Sequence, residues 1–398
     1  MFSKIRLPLV PAMFFLIFSV LPGCRTLQEP FNPAIDAQKL TPVIGYVNES
    51  PKPARASDGK YYITYELVIA NITKSDIAID SIKIHDNSRN ELTVLTMNRA
   101  EIARNMNLAR KDAVLKAFES GFIRINLEFS DLSSVPGSVD HLLSLKMDKP
   151  YQLFSSVMDE RIARTEFDKS EQLVIGPPLR GGPWLAVNVG KYHDHRLATM
   201  PIDGRWISPE RWAIDWVMLT DDNRIFKGDN AKNESYPQFG KELIAVMDGK
   251  IIKAVDVFDD IMPGKLPDNM TLDNAAGNYV MIDIGDGYSA LYAHIKKGTV
   301  KVKEGDTVRK GQVIGLLGNS GNTDAPHLHF HVLRGKTPLG NQGEPYVIDS
   351  FEILGVAKDA GKVDEALATG DRIEISVEKE EIRSNNFPED VSIIKFPN

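Results

Sequence analysis

Three histidines stand two residues apart in the segment APHLHFHVLRG, and this spacing is the first feature of the chain with chemical meaning. His327, His329 and His331 alternate with apolar residues, in a chain that has only 8 histidines. On a β-strand, side chains at positions i and i+2 share a face and lie about 7 Å apart. Neighbouring imidazoles on one face favour the neutral form, which binds a metal ion or accepts a proton. The spacing therefore indicates a metal site, a proton-transfer site or both.

The segments around these histidines predict strands and hairpin turns. KELIAVMDGKIIKAVDV (241–257) alternates in polarity and carries an Asp-Gly turn at Asp248, and GNYVMIDIGDGYSALYAHI (277–295) reverses at Asp286. Asp-Gly pairs are typical of two-residue hairpin loops. Glycines mark each reversal of KVKEGDTVRKGQVIGLLGNSGN (301–322), and no helical period interrupts the pattern. We expect an antiparallel β domain over residues 179–355, which would position the histidines.

The first half of the chain also predicts strands, without residues that suggest chemistry. YYITYELVIAN (61–71) is rich in β-branched and aromatic residues, and FIRINLEF (122–129) alternates apolar and polar side chains. We expect an Ig-like β-sandwich over residues 43–150, with a short helix near residues 98–106. His85 and His141 lie here singly, without a cluster of acidic or histidine residues that suggests a site, and are interpreted as structural.

Two further segments are assigned a place in the domain organisation but no function. Residues 151–178 are expected to be a connector that is partly helical over residues 155–164. Residues 356–398 are charged and weakly periodic, and are interpreted as a C-terminal extension without an assigned function.

The N-terminus has the pattern of a secretory signal. Basic residues precede an apolar run and then small residues, which is typical of a signal peptide over residues 1–23. The segment LPGC resembles the lipobox of bacterial lipoproteins, which implies lipid attachment at Cys24, followed by a tether over residues 24–42. The expected location is the bacterial cell envelope, at the outer membrane and facing the periplasm, with the membrane contact made through the lipid.

Composition excludes other classes of protein. The formal net charge of -7 argues against general nucleic-acid binding, which needs a basic face. Cys24 is the only cysteine, so the chain has neither a disulfide framework nor a metal site made of thiolates. Hydrophobic residues at 42% and charged residues at 25% are typical of a folded globular protein.

Three segments together resemble a known enzyme family. YAHIKKG (292–298), VKEGDTVRKGQVIGLLGNSGNTDAPHLHFHV (302–332) and RWAIDW (211–216) are similar to the lysostaphin/LytM family of zinc endopeptidases. The resemblance implies a duplicated-hybrid-motif β domain, a Zn²⁺ cofactor and hydrolysis of peptide bonds. It covers about residues 179–350.

The resemblance also implies roles for individual residues. His329, the second histidine of the HxH pair, is expected to bind zinc, and Asp215 matches the acidic metal ligand. His327 and His294 match the two catalytic histidines, which assist proton transfer and stabilise the developing oxyanion. His331 is expected to support a neighbouring histidine by a hydrogen bond rather than to bind the metal.

The sequence departs from the family pattern at one metal ligand. The family has a histidine four residues before the acidic ligand, and this chain has Arg211 there. An arginine stays protonated and cannot bind zinc. His193 and His195 are candidate substitutes, and His195 is preferred because a His-Arg pair ahead of an IDG segment is typical of lipoprotein-like relatives. The predicted metal ligands are therefore His195, Asp215 and His329.

Three functions are consistent with these patterns. The leading one is a zinc metalloendopeptidase that cleaves peptide cross-links of peptidoglycan or acts on a cell-envelope protein. The second is a catalytically degenerate LytM-like module that binds and activates a partner wall hydrolase, which Arg211 favours. The third is a carrier of the lipoyl or biotinyl kind, but the hairpin tip at residues 319–322 has no lysine to modify.

Overall fold

The computed structural model describes residues 40–398, except residues 91, 108–110, 150–153, 190–193 and 268. The predicted signal peptide, Cys24, most of the predicted tether and His193 lie outside the described residues. Among the described residues, no helix has the length and apolar character needed to cross a membrane. Strands, nearly all of them paired antiparallel, are far more abundant than helices among the described residues, which confirms the predicted all-β fold class.

Nine strands and one helix form a two-sheet β-sandwich. They are, in chain order, β1 (Val43–Tyr46), β2 (Ala54–Arg55), β3 (Tyr61–Asn71), β4 (Ile77–Asp86), β5 (Leu92–Asn98), α1 (Arg99–Asn105), β6 (Val114–Leu115), β7 (Ser120–Phe129), β8 (Ser138–Met147) and β9 (Val157–Glu166). In the first sheet β1, β2 and β7 pair with β3, and in the second the order is β5-β4-β8-β9 with β6 beside β4. Apolar side chains from both sheets form one core, so the sandwich is a packed module; its Ig-like character stays a prediction.

The predicted helix of the sandwich is confirmed, but the predicted helical connector is wrong. Helix α1 begins after Asn98, which forms a capping box with Glu101. Residues 155–164, in contrast, fall largely in β9, which pairs with β8 and extends the sandwich beyond residue 150. The glutamate, arginines and alanine of this segment favour a helix locally, but the open edge of β8 supplies a full set of backbone partners.

Sixteen strands form the rest of the molecule. They are β10 (Leu173–Ile175), β11 (Trp184–Val187), β12 (Met200–Ile202), β13 (Arg205–Ile207), β14 (Ile214–Met218), β15 (Glu242–Ile244), β16 (Gly249–Val255), β17 (Tyr279–Gly285), β18 (Tyr288–Ala293), β19 (Thr307–Val308), β20 (Val313–Leu316), β21 (Leu328–Arg334), β22 (Tyr346–Ile348), β23 (Phe351–Ala357), β24 (Ile375–Arg383) and β25 (Ser392–Lys395). The helices are α2 (Asp194–Leu197) and α3 (Ala360–Thr369), and Asn233–Ser235 is a short 3-10 helix.

A ten-stranded sheet is the centre of this second part. Its order is β19-β16-β17-β18-β21-β14-β11-β25-β23-β24, and the remaining strands pair as β10-β22, β12-β13 and β15-β20. Strand β21, which carries His329, lies between β14 and β18 and is therefore interior to the sheet. The main core includes Trp216, Tyr292 and Phe330 from these three strands.

One of the two predicted hairpins is confirmed and the other is wrong. β17 and β18 form a hairpin whose turn residues Asp286 and Gly287 have φ of 51° and 80°, as a type I′ turn requires. The segment around Asp248 is not a hairpin, because β15 pairs with β20 whereas β16 pairs with β17 and β19. Long-range pairing overrides the local turn signal there.

The predicted C-terminal extension is part of the central sheet. β25 lies between β11 and β23, and the expected boundary after residue 355 falls inside β23. The ring of Phe396 is 1% exposed and meets the Trp216 ring edge to face, with centroids 5.2 Å apart. The segment therefore contributes directly to the core beneath Asp215.

Candidate metal centre and active site

Strand pairing brings three predicted site residues to one place. Asp215 of β14 is the register partner of His329 of β21, and His329 is in turn the partner of Ala293 of β18. His294 follows Ala293 directly and has a positive φ of 62°. This conformation is uncommon for a residue with a side chain and is found at functional sites.

His195 reaches Asp215 from a separate segment. Its Nε2 lies 3.2 Å from Asp215 Oδ2, and its Nδ1 lies 3.0 Å from the carbonyl oxygen of Asn188. A ring nitrogen facing a carbonyl oxygen must carry the proton, so Nε2 is left as the electron-pair donor. The side chain of Asn188 also donates a 2.7 Å hydrogen bond to Asp215 Oδ2. Asn188 thus orients both groups.

His329 completes the group around the same carboxylate. Its Nδ1 is 3.0 Å from Asp215 Oδ1, and its Nε2 is 2.9 Å from Nδ1 of His331. His331 is fully buried and makes this contact from the same strand. The position is in keeping with the predicted supporting role of His331.

The donor set fits one metal ion. The ligand atoms of His195, Asp215 and His329 lie within 4.8 Å of one another, and all three side chains are buried. Ligand atoms bound tetrahedrally at about 2.1 Å are about 3.4 Å apart, so little movement is needed to close such a shell. A second set, His294, His327 and His329, meets the same distance limit but has no carboxylate. The set containing Asp215 is the better match for a divalent cation, because it brings a negative charge.

His294 and His327 face each other on the other side of the site. Their ring centroids are 4.7 Å apart. Nδ1 of His294 lies 2.7 Å from the carbonyl oxygen of Ser320, and Nδ1 of His327 lies 2.8 Å from that of Ala325. Both rings therefore hold their proton on Nδ1 when neutral, and Nε2 of each is the nitrogen that can take up a proton.

A close backbone contact holds the carbonyl that orients His294. Gly277 has a φ of +59°, and a Cβ there would lie 2.1 Å from the carbonyl oxygen of Ser320. Any residue with a side chain would push this carbonyl away from the His294 ring. The glycine is therefore required by the site.

The buried charges shift the protonation of these groups in opposite directions. Burial alone would lower the pKa of His195, but the Asp215 carboxylate outweighs it and raises the pKa to about 9. Burial would likewise raise the pKa of Asp215, but His195 and His327 hold it well below its usual range. For His294, burial and then the charges of His327 and His329 lower the pKa well below its usual value. Asp215 is thus ionised, and His294 is neutral.

The site opens into a cleft of about 370 Å³. Beyond the histidines and Asp215, its walls carry Glu210, Asp324 and the apolar side chains of Leu266 and Leu339.

Arg211 points away from the cleft, and its permanently charged guanidinium group binds acceptors elsewhere. Its Nη2 contacts the carboxylate of Glu66 in the sandwich and lies 2.9 Å from Oε1 of Gln342. The neighbouring side chains of Ile214 and Trp216 are fully buried in the main core. The place of the expected histidine is therefore filled by a structural cation, and His195 reaches Asp215 from a different segment.

Two residues of the site were not singled out from sequence. Asn188 orients His195 and Asp215, and Glu210 places Oε1 3.8 Å from Nε2 of His329. Asn188 has a φ of 58°, but a single asparagine at the end of a strand carries no signal of its own. For Glu210, the only signal in the sequence was its position next to Arg211, where the family has a histidine instead.

Comparison with known proteins finds a family match within the second half of the chain. Residues 235–341 match the model of peptidase family M23. The matched range includes His294, His327 and His329, but it begins after His195 and Asp215. The chain therefore carries a peptidase M23 domain of the lysostaphin/LytM type.

Curated relatives match over short stretches. The chain is 47% identical over 62 residues to peptidoglycan DD-endopeptidase ShyA of Vibrio cholerae, which is 15% of this chain and 14% of that protein. It is 39% identical over 71 residues to the glycyl-glycine endopeptidase ALE-1 of Staphylococcus capitis, 18% of this chain and 19% of that protein. The match thus spans less than a fifth of either relative.

Solved structures were also compared. A variant of the catalytic domain of the prophage-encoded M23 protein EnpA from Enterococcus faecalis shows 20% identity and a TM-score of 0.26, over 42% of this chain and 92% of that one. The catalytic domain of lysostaphin from Staphylococcus simulans shows 25% identity and a TM-score of 0.20, over 34% of this chain and 72% of that one.

Proposed function

We propose that this protein is a zinc-dependent endopeptidase that hydrolyses peptide bonds in the cross-links of bacterial peptidoglycan. The observation that carries the proposal is the convergence of His195, Asp215 and His329 on one point, with His294 and His327 beside it. These residues come from four separate segments of the chain. A group of buried histidines around one carboxylate is costly to maintain unless it binds a ligand.

His195, Asp215 and His329 would hold the zinc ion. Bound there, zinc would act as a Lewis acid and lower the pKa of water to about 7. Asp215 contributes the negative charge, and the carbonyl of Asn188 fixes His195 in the tautomer that offers Nε2. Nδ1 of His329, 3.0 Å from Asp215 Oδ1, would be the ligand atom, and the contact of its Nε2 with Nδ1 of His331 would hold the ring in place.

His327 is proposed to take the proton from the attacking water. The Ala325 carbonyl accepts from its Nδ1, and its Nε2 lies 3.4 Å from Asp215 Oδ1, so this nitrogen faces the proposed zinc site. Burial lowers the pKa of His327, but the Asp215 carboxylate outweighs it and leaves the pKa raised. Binding of zinc to Asp215 would remove part of that effect and leave His327 as the proton acceptor.

His294 is proposed to act on the substrate carbonyl from the opposite side. Its Nδ1 donates to the Ser320 carbonyl, so Nε2 must be protonated before it can donate to a developing oxyanion. His327, with its ring centroid 4.7 Å away, would give the proton taken from the water to the leaving amine nitrogen as the peptide C–N bond breaks. The proton of the nucleophile would thus end on the leaving group, and His294 would act on the oxyanion.

The substrate class rests on the relatives. ShyA is a peptidoglycan endopeptidase and ALE-1 a glycyl-glycine endopeptidase, and both match this chain in part. The open cleft suits an extended, flexible peptide such as a cell-wall cross-link. A cell-envelope protein remains the alternative substrate, and no nucleic acid is involved in the proposal.

We also propose that the enzyme is a lipoprotein of the bacterial envelope. The sole cysteine, Cys24, follows the signal-like segment in an LPGC motif. Acyl chains on that residue would hold the protein at a membrane, since each buried methylene contributes about 0.8 kcal/mol. The proposed location is the outer membrane, facing the periplasm.

The metal content of the purified chain tests the function. We expect one equivalent of zinc in the wild type and cleavage of purified peptidoglycan cross-links. His195→Ala and Asp215→Ala should lose the zinc and lower the cleavage rate by at least about 1000-fold, because both the ion and its chemistry are removed. His193→Ala is the matched control, since that histidine is two residues away from His195, and it should keep both.

Two results would contradict the proposal. If His193→Ala loses the metal and His195→Ala keeps it, the ligand assignment is wrong. If the wild type binds no zinc and instead stimulates a separate wall hydrolase, the chain is the degenerate activating module.

A further inference from the structure

One face of the β-sandwich is buried although it lies outside the sandwich core. Glu66 of β3 is the register partner of Arg124 of β7, and Thr64 is the partner of Asn126. Glu66, Arg124 and Thr64 are 4%, 6% and 6% exposed. Polar side chains on the outer face of a two-sheet sandwich normally face water. Here the peptidase domain covers them.

The covering segment is the one that carries His195. The carbonyl of Arg196 accepts a 3.1 Å hydrogen bond from Nε of Arg124, and the Arg196 side chain contacts Asn126. The Trp206 ring meets the Phe122 ring edge to face, with centroids 5.1 Å apart. The sandwich is therefore docked against residues 196–206 by both polar and aromatic contacts.

Glu66 is the centre of this contact. One carboxylate oxygen lies 3.4 Å from Nη2 of Arg196, and the other contacts Nη2 of Arg211. Arg196 directly follows His195, and Arg211 stands four residues before Asp215. A single side chain of the sandwich thus fastens both segments that supply proposed zinc ligands from outside the matched M23 range.

The His195 segment has little regular structure of its own. Helix α2 has only 4 residues, far fewer than a helix needs to be stable by itself. Arg196 is nevertheless 1% exposed and is among the largest fully buried side chains of the described residues. Its position must come from its partners across the contact, and the Glu66 carboxylate is one of them.

Charge balance makes this carboxylate hard to replace. Burial would raise the pKa of Glu66, but Arg211 and Arg196 outweigh it and hold the pKa below its usual value. Glu66 therefore stays ionised between two guanidinium groups. Without it, Arg196 and Arg211 would lose the carboxylate that both guanidinium groups contact in a buried place, which favours movement of the segment towards water.

We infer that Glu66 is a positioning residue for the zinc site: from the sandwich, it holds His195 and Asp215 in register through Arg196 and Arg211. This inference rests on the proposed function. The N-terminal sandwich is then part of the metal site rather than a spacer. Arg211 cannot bind zinc, but it holds the segment of Asp215 in place through Glu66.

The test compares two buried carboxylates of the sandwich in the full chain. Glu66→Gln keeps the shape and removes the charge, and Asp86→Asn does the same at a carboxylate that is 0% exposed and paired with Arg89 at 3.3 Å. Zinc affinity is measured by competition with a chromophoric chelator, and the visible spectrum of the Co²⁺-substituted protein reports ligand geometry. We expect affinity to fall about 10- to 100-fold and the spectrum to change in Glu66→Gln alone, as is typical when a partner of a metal ligand is lost.

A readout without metal separates this inference from the proposed function. In the metal-free chain, amide hydrogen exchange of residues 194–199 should rise by about tenfold or more in Glu66→Gln and stay at the wild-type rate in Asp86→Asn. If zinc affinity and amide exchange in folded Glu66→Gln match the wild type, the positioning role is refuted and the proposed function is unaffected. If the wild type binds no zinc, the proposed function fails, and the exchange rates alone decide whether Glu66 holds the segment.

A second variant covers the case in which Glu66→Gln does not fold. Arg196→Lys preserves the charge balance but replaces the planar two-pronged donor by a single ammonium group. Arg196→Lys should lower the zinc affinity, as Glu66→Gln does, and should lower the melting temperature less than Glu66→Gln does. Unchanged affinity in folded Arg196→Lys would overturn the inference.

Discussion

Three imidazoles of the site share one arrangement. Nδ1 of His195, His294 and His327 each faces a backbone carbonyl, from Asn188, Ser320 and Ala325 respectively. In its neutral form, each ring is thereby held in the tautomer with its electron pair on Nε2. Backbone carbonyls cannot change charge, so the orientation is independent of pH. The chemistry of the site depends on these supporting contacts as much as on the histidines.

A substitution at Asn188 measures how much a supporting hydrogen bond contributes to the site. Its side chain donates 2.7 Å to Asp215 Oδ2, and its φ of 58° is one that glycine also adopts freely. Asn188→Gly should therefore keep the backbone and lose only the side-chain donor. We expect zinc affinity to fall about tenfold, measured by chelator competition.

The control is an asparagine in the same conformation elsewhere. Asn223 has a φ of 59° and lies in a different cleft, so Asn223→Gly should bind zinc as the wild type does. Equal affinity in both variants would show that the Asn188 side chain is dispensable for the site.

Two elements took positions that their own sequences did not indicate. β9 contains residues that favour a helix, and β25 lies in a segment with weak periodicity, yet each completes a sheet. Both strands pair with an edge that would otherwise expose unpaired backbone groups. Local propensity is a small term compared with a full ladder of hydrogen bonds and a buried face.

The contribution of the C-terminal segment can be measured at Phe396. This ring is 1% exposed and packs on Trp216. Phe396→Ala should lower the free energy of unfolding by about 3–5 kcal/mol, because it leaves a cavity in the main core. Urea denaturation followed by tryptophan fluorescence gives the value.

Val377 provides the comparison within the same segment. It is 82% exposed on β24, and Val377→Ala should change the free energy of unfolding by less than about 0.5 kcal/mol. Similar small losses for both variants would mean that residues 356–398 do not share the stability of the central sheet.

At the scale of the whole molecule, sandwich and peptidase domain form one compact unit, Thr41–Asn398. The main core itself includes Ala54, Ala56 and Tyr62 from the sandwich side. The domains therefore do not behave as a catalytic module on a flexible spacer. A lipid at Cys24 would anchor the whole unit through the predicted tether that follows Cys24.

Anchoring predicts a covalent label. Cells fed an alkyne-tagged fatty acid should incorporate it into the wild-type protein, and Cys24→Ser should carry no label, since the chain has no other cysteine. His195→Ala is the control, and it should be labelled as the wild type is. A wild-type protein without the label would refute the lipoprotein proposal.

The sequence by itself determined the types of residues in the site and the β character of the elements that carry them. Two local features could be predicted: the alternation at His327, His329 and His331, and the turn at Asp286. They depend on strand periodicity and turn geometry, which involve only a few neighbouring residues. The M23 resemblance likewise came from contiguous motifs.

Only the tertiary structure decided which distant residues meet. His195 lies 20 positions before Asp215 and 134 before His329 in the numbering, and no local rule fixes that contact. The same holds for Arg211, whose partner Glu66 is 145 positions away. These contacts depend on how the sandwich docks and how ten strands are ordered, and such long-range pairings arise from the packing of the entire chain.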